Sequence, residues 1–104
     1  LCGGQQKRVG LARAIINNPE YLFFDEPTTG LDPVLSTNIE DLIVRITNEL
    51  NTTTIVVTHQ ISTILRTSDH IYLLHNGELL PAETPKTIYN SKNPIIKSFI
   101  QGKG

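Results

Sequence analysis

The 104 residues carry nine Lys and Arg against ten Asp and Glu, a net charge of −1, and are 38% hydrophobic and 18% charged. A chain of this size and balance is one small globular domain rather than a disordered segment, and it lacks the basic excess that neutralising a phosphate backbone requires, so no nucleic-acid partner is expected. The single cysteine forms no internal disulfide, which fits a cytoplasmic setting, and no apolar run reaches the roughly 20 residues of a bilayer span, so any membrane association is expected to be peripheral.

The first element is a helix over Gln5 to Asn18, where Val9, Leu11, Ala12, Ala14, Ile15 and Ile16 gather on one side at helical spacing. Gly3 and Gly4 stand at its head, where backbone N–H groups and the positive end of the helix dipole suit an anion. Tyr21-Leu22-Phe23-Phe24 is a short continuous apolar run, the pattern of a parallel strand buried on both faces. It ends in Asp25 and Glu26 and is followed by the turn-rich Pro27 to Pro33. A second helix, capped by Ser36 or Thr37, runs to about Leu50 with Ile39, Leu42, Ile43, Ile46 and Leu50 on its buried stripe.

The β-branched run Thr52 to Val57 then predicts a second buried strand ending in Thr58 and His59. A short helix over Ile61 to Arg66 leads into His70 to His75, and Asn76-Gly77 is a two-residue hairpin signal before Glu78 to Glu83. Two short helices close the chain, one capped by Thr84 ahead of Pro85, the other by Asn93 ahead of Pro94. His70 and His75 have no Cys or His partner at metal-ligand spacing and are read as structural or solvated.

Alternating helices and strands imply an α/β fold with a mostly parallel sheet, flanking helices and a C-terminal β-hairpin. Its ligand site is expected beyond the carboxyl ends of the strands. Asp25 and Glu26 end one strand, Thr58 and His59 the next, so these four are expected at one sheet edge. Neighbouring strand residues point to opposite faces unless the chain bends, which suits the two acids to separate tasks.

Three motifs in order give a family resemblance. Leu1 to Gln5, LCGGQ, resembles the signature of ATP-binding cassette ATPases; Tyr21 to Pro33, YLFFDEPTTGLDP, resembles their Walker B strand and D-loop; Ile55 to His59, IVVTH, resembles their switch-histidine strand. The resemblance spans essentially all of residues 1–104 and implies the C-terminal part of one nucleotide-binding domain, a partial P-loop NTPase fold. It implies that Asp25 positions Mg²⁺ through water, that Glu26 and His59 are catalytic, acting on the hydrolytic water and the γ-phosphate of ATP, and that Asp32 lies at a dimer interface. Cys2, Gly3, Gly4 and Gln5 would close over the ATP held by a second ATPase subunit. Cys2 departs from the family's usual serine, and a thiol is the weaker donor. Gln60 stands where relatives often have an acid.

These residues contain no GxxxxGK[ST] loop, so the cradle for the β- and γ-phosphates is expected in a preceding N-terminal half. The absence of methionine agrees with a fragment or a processed product. In related folds the phosphate-loop strand lies between the strand ending at His59 and the one at Ile71 to Leu74, so its absence is expected to leave a gap or a non-native pairing with exposed apolar edges. The motif set resembles transport ATPases rather than those of DNA repair or translation, which implies transmembrane permease subunits as partners and a place on the inner face of the membrane. Ile39 to Gln60 and Glu83 to Gly102 resemble the ATPases of Mla- or Mce-type lipid transporters; a small-solute importer ATPase and a non-catalytic remnant are the alternatives.

Overall fold

The computed structural model describes residues 3–102. The chain forms two compact units, Leu1–Thr67 and Ser68–Gly104. The first holds α1 (Gly3–Ile15), β1 (Tyr21–Asp25), α2 (Pro33–Leu50), β2 (Thr53–Val57) and α3 (Ile61–Thr67). The second holds β3 (Leu74–His75), β4 (Glu78–Leu79), a 3₁₀ turn at Ile88–Asn90 and α4 (Pro94–Ile100).

In the first unit β1 and β2 pair in parallel, Tyr21 opposite Thr53 and Asp25 opposite Val57, with α2 as the crossover. The expected first helix begins and ends earlier than its apolar pattern suggests. Asn18 takes a left-handed conformation (φ 51°) and its N–H donates to the Ile15 carbonyl oxygen, which ends α1 ahead of Pro19. At α2 the cap is neither Ser36 nor Thr37. Asp32 accepts from the Leu35 N–H at 2.9 Å and Pro33 occupies the first helical position, so the helix starts a turn earlier. Its other end is set by Asn51, left-handed at φ 53°.

Leu11 of α1, Leu22 of β1 and Ile46 of α2 form the core of this unit, with Ile15, Phe24, Leu42 and Leu50 packed around them. The strands are therefore buried on one face, not two. Tyr21, Phe23, Ile55 and Val57 point to the other face and remain exposed, Phe23 at 65%. The exposed apolar surface is thus a sheet face, where apolar edges were expected. The cause is local: pleating sends alternate residues to opposite sides, and among the described residues only the side bearing Leu22 is covered by helices.

In the second unit Asn76 (φ 51°) and Gly77 (φ 79°) make the tight turn that joins β3 to antiparallel β4, with His75 opposite Glu78. Ile71 and Glu83 add an isolated antiparallel bridge. The hairpin expected at Asn76-Gly77 is thus present, its strands short and in a sheet separate from that of β2. Thr84 does not cap an α-helix: its carbonyl oxygen accepts from the Thr87 and Ile88 N–H groups and the chain continues as a 3₁₀ turn. Asn93 caps α4 as expected, its side chain accepting from the Ile95 N–H at 2.9 Å.

Candidate functional site

The end of β1 is where the backbone departs from regular geometry. Asp25 is the last residue of the strand, and Glu26 follows with φ 51°, a left-handed conformation in a residue that has a Cβ and precedes proline. A backbone of this kind costs about 1–3 kcal/mol and persists only where its surroundings hold it. Here they do. The Glu26 N–H donates to the Val57 carbonyl oxygen at 2.7 Å, and the Glu26 carbonyl oxygen accepts from the Thr29 N–H at 3.3 Å and from Lys7 Nζ at 3.1 Å.

This bend swings the Glu26 side chain toward the end of β2. Its Oε1 lies 2.9 Å from His59 Nδ1, and its Oε2 accepts from Thr29 Oγ1 at 2.7 Å and from Thr58 Oγ1 at 3.3 Å. The Thr29 hydroxyl, then His59, then Thr58 favour the ionised carboxylate and hold its pKa below the ordinary value. An ionised carboxylate only accepts, so the proton between the two side chains sits on Nδ1. The rest of the ring stands in solvent, the His59 side chain being 71% exposed. Thr58 also accepts from the Gln60 N–H at 3.1 Å, a local turn that fixes the direction in which His59 leaves the strand.

The structure therefore brings Glu26, Thr58 and His59 together at one strand edge, as their positions in the sequence implied. Asp25 is parted from them by the bend. It lines a groove of about 270 Å³ together with Gln6 and Lys7 of α1, Phe24 and Pro27. Asp32, expected at an interface, is exposed and serves as the α2 cap. Gly3, Gly4 and Gln5 form the first turn of α1. Cys2 lies outside the described residues.

For Mg²⁺ the donor set fits in part. Asp25 is an exposed carboxylate at the strand end, suited to a hydrated cation, and no cluster of three or more acidic, His or Cys ligands stands among the described residues. Among the described residues Asp25 alone stands free at this edge for such an ion, and a complete site would need further oxygen ligands from elsewhere.

Sequence reading missed Lys7 and Thr29. Both are ordinary surface residue types, and only the fold shows that one reaches the Glu26 carbonyl oxygen and the other its carboxylate. It also missed Glu40, whose charge interrupts an apolar helix face. Glu40 is buried, with Oε1 2.8 Å from Arg66 Nε.

Residues 1–29 match the family model described as "ABC transporter". The chain is 39% identical over 98 residues to ABC transporter I family member 17 of Arabidopsis thaliana, covering 94% of this chain and 37% of that protein. It is 40% identical over 104 residues to the phosphate import ATP-binding protein PstB of Methylobacillus flagellatus, covering 99% of this chain and 39% of that one. It is 36% identical over 102 residues to the methionine import ATP-binding protein MetN of Escherichia coli K12, covering 97% and 30%. The chain thus spans less than two fifths of the length of these relatives.

Among solved structures, a nucleotide-free ATP-binding cassette from an ABC transporter superposes with a TM-score of 0.83 at 26% identity, covering 96% of this chain and 40% of that one. A dimeric ATP-binding cassette in a post-hydrolysis state, bound to ADP and Pi, superposes with a TM-score of 0.71 at 38% identity, covering 82% and 36%. Residues 3–102 therefore share the fold of part of the ATP-binding cassette ATPase domains of the P-loop NTPase class, and in sequence the chain is similar to the ATP-binding proteins of ABC transporters.

Proposed function

We propose that this chain is the C-terminal part of a nucleotide-binding domain that hydrolyses ATP to drive an ABC transporter. The observation that carries this reading is the Glu26–His59 pair, a lowered-pKa carboxylate and an imidazole 2.9 Å apart on a strained bend. Glu26 is the general base: its ionised carboxylate is already an acceptor for two hydroxyls and a ring N–H, and a water that replaces one of these points its O–H at Glu26, which takes the proton as the water oxygen bonds to the γ-phosphorus and the bond to the departing β-phosphate oxygen breaks. His59 holds the carboxylate from one side with Nδ1 and leaves Nε2, on the solvent-facing part of the ring, for the γ-phosphate. Asp25 would hold a hydrated Mg²⁺, which would supply positive charge beside the phosphoryl oxygens.

Gly3, Gly4 and Gln5 open α1 and, with Cys2, contact the ATP bound by a second subunit, Asp32 lying at the same interface. The missing partners are the N-terminal half with its phosphate loop and the transmembrane permease, which places the domain on the cytoplasmic face of the membrane. No helix among the described residues is long and apolar enough to cross a membrane.

For the cargo two readings stand. Resemblance of Ile39 to Gln60 and Glu83 to Gly102 to Mla- and Mce-type ATPases supports lipid transport. The phosphate and methionine import proteins among the relatives support a small-solute importer equally. Reading the coding sequence upstream of Leu1 for an in-frame GxxxxGK[ST] tests the ATPase reading: its presence supports a complete enzyme, and an intact gene without it makes the chain a non-catalytic remnant. Assaying the complete transporter with lipid, phosphate and amino-acid cargoes separates the two transport readings.

A further inference from the structure

Three buried polar side chains stand behind the Glu26–His59 pair, and none of them belongs to it. Thr28 and Thr63 have no exposed surface and Glu40 is 2% exposed. They form a continuous line: Arg66 Nε donates to Glu40 Oε1 at 2.8 Å, Thr63 Oγ1 donates to Glu40 Oε2 at 2.5 Å, and the Thr28 and Thr63 hydroxyl oxygens are 2.7 Å apart. Each hydroxyl has one proton. That of Thr63 goes to the carboxylate, so Thr28 donates to Thr63, and the Arg66–Glu40 ion pair fixes the direction of the whole line.

The line joins the two loops that carry the site. Thr28 lies two residues after Glu26, while Thr63 lies four residues after His59 in the first turn of α3. Thr28 Oγ1 also lies 3.4 Å from Gln60 Oε1, one residue from His59. Three buried polar groups are a poor way to gain stability, because an apolar cluster of the same volume usually does as well or better. What a directed hydrogen-bonded line supplies is a single geometry between the parts it joins.

We propose that Thr28, Thr63 and Glu40 form a buried tether that fixes the Glu26 loop against the His59 loop, making Thr63 and Glu40 positioning residues for the Glu26–His59 pair. Its importance for turnover rests on the ATPase reading given above; the tether itself does not. With the line intact, the left-handed bend at Glu26 and the start of α3 are held to one separation, and the 2.9 Å contact between the carboxylate and Nδ1 follows. With it cut at Thr63, the long Thr28–Gln60 contact and the solvent-facing contacts of Glu26 are what remain of these hydrogen bonds between the two loops.

The test reads the His59 ring directly, by nitrogen NMR of the 104-residue chain at constant neutral pH. Glu26→Gln sets the reference displacement of the Nδ1 resonance. Thr63→Val, which keeps shape and removes the hydroxyl, is expected to reproduce most of that displacement, Glu40→Gln part of it, and Thr63→Ser none. A Thr63→Val chain that melts at lower temperature but leaves Nδ1 where it was would overturn the proposal, since a merely structural role moves only stability.

Because Thr63 is fully buried, the unmutated chain gives a second reading that does not depend on the variant folding. The Thr28 and Thr63 hydroxyl protons are expected as separate, slowly exchanging resonances close to one another in space, and rapid exchange of both with water would also overturn it. In the full-length ATPase, Thr63→Val is expected to lower kcat roughly 10- to 100-fold with little change in KM, the scale of a small misplacement of reacting groups. If Glu26→Gln leaves turnover near normal while Nδ1 still responds to Thr63→Val, the assignment of the base fails and the tether stands.

Discussion

At the scale of single residues, Glu26 carries more of the site than any other. All its polar groups are engaged: the N–H by β2, the carbonyl oxygen by Lys7 and Thr29, the carboxylate by Thr29, His59 and Thr58. Glu26→Gln keeps the shape but removes the basic oxygen. In the complete domain it is expected to leave ATP binding intact and to slow hydrolysis by roughly 10²-fold or more, the loss that accompanies removal of a general base; single-turnover measurement with near-normal hydrolysis would assign the water to another group. The same contacts give stability a pH dependence. The folded state holds the Glu26 pKa below its ordinary 4.5, chiefly through the Thr29 hydroxyl and then His59. Below 4.5 the unfolded chain binds the proton first, so the contribution is full at neutral pH and is lost as pH falls through the lowered value. Thermal melts from neutral to acid pH are expected to converge for wild type and Glu26→Gln at the acid end, and parallel curves would show that these bonds do not favour the charged form.

At the scale of elements, α2 shows both what the sequence discloses and what it hides. Its apolar stripe was legible: Ile39, Ile43 and Ile46 are buried and Leu42 and Leu50 pack against the core. Its start was not, because Asp32, Ser36 and Thr37 are all competent caps and only the placement of Pro33 at the first helical position decides among them. Strands were legible as strands, while their burial was not, since a run such as Tyr21 to Phe24 reads the same whether one face or both are covered. The convergence of Glu26 and His59 followed from strand order, but the hydroxyls and amine that hold Glu26 come from loops and a helix whose approach no local pattern encodes. Asp32 offers a separation of roles. Asp32→Ala is expected to destabilise the chain by about 1 kcal/mol through loss of the cap, whereas Asp32→Asn keeps an equivalent cap. Denaturant melts of the two variants check this. A loss of subunit coupling in the complete domain with Asp32→Asn, at unchanged stability, would then belong to the interface and not to the helix.

At the scale of the molecule, the residues that would act on ATP are assembled while those that would hold its phosphates are not among these 104. Glu26, Thr58 and His59 meet within one compact unit. Binding is a different matter. No GxxxxGK[ST] sequence is present to supply a ring of backbone N–H groups and a lysine, and Asp25 and Glu26 put negative charge at the strand end, where a polyphosphate without that cradle is repelled. The 104-residue chain is therefore expected to show no resolvable rise in melting temperature with Mg²⁺ and ATP. The measurement is sensitive enough to decide. A ligand at 100 times its dissociation constant stabilises by about 2.7 kcal/mol, which for a chain of about 100 residues shifts the midpoint by roughly 10 °C or more. A shift of that size at sub-millimolar ATP would mean that Gly3 to Gln5, Lys7 and the His59 edge bind the nucleotide on their own, and the assignment of phosphate binding to a preceding segment would have to be abandoned.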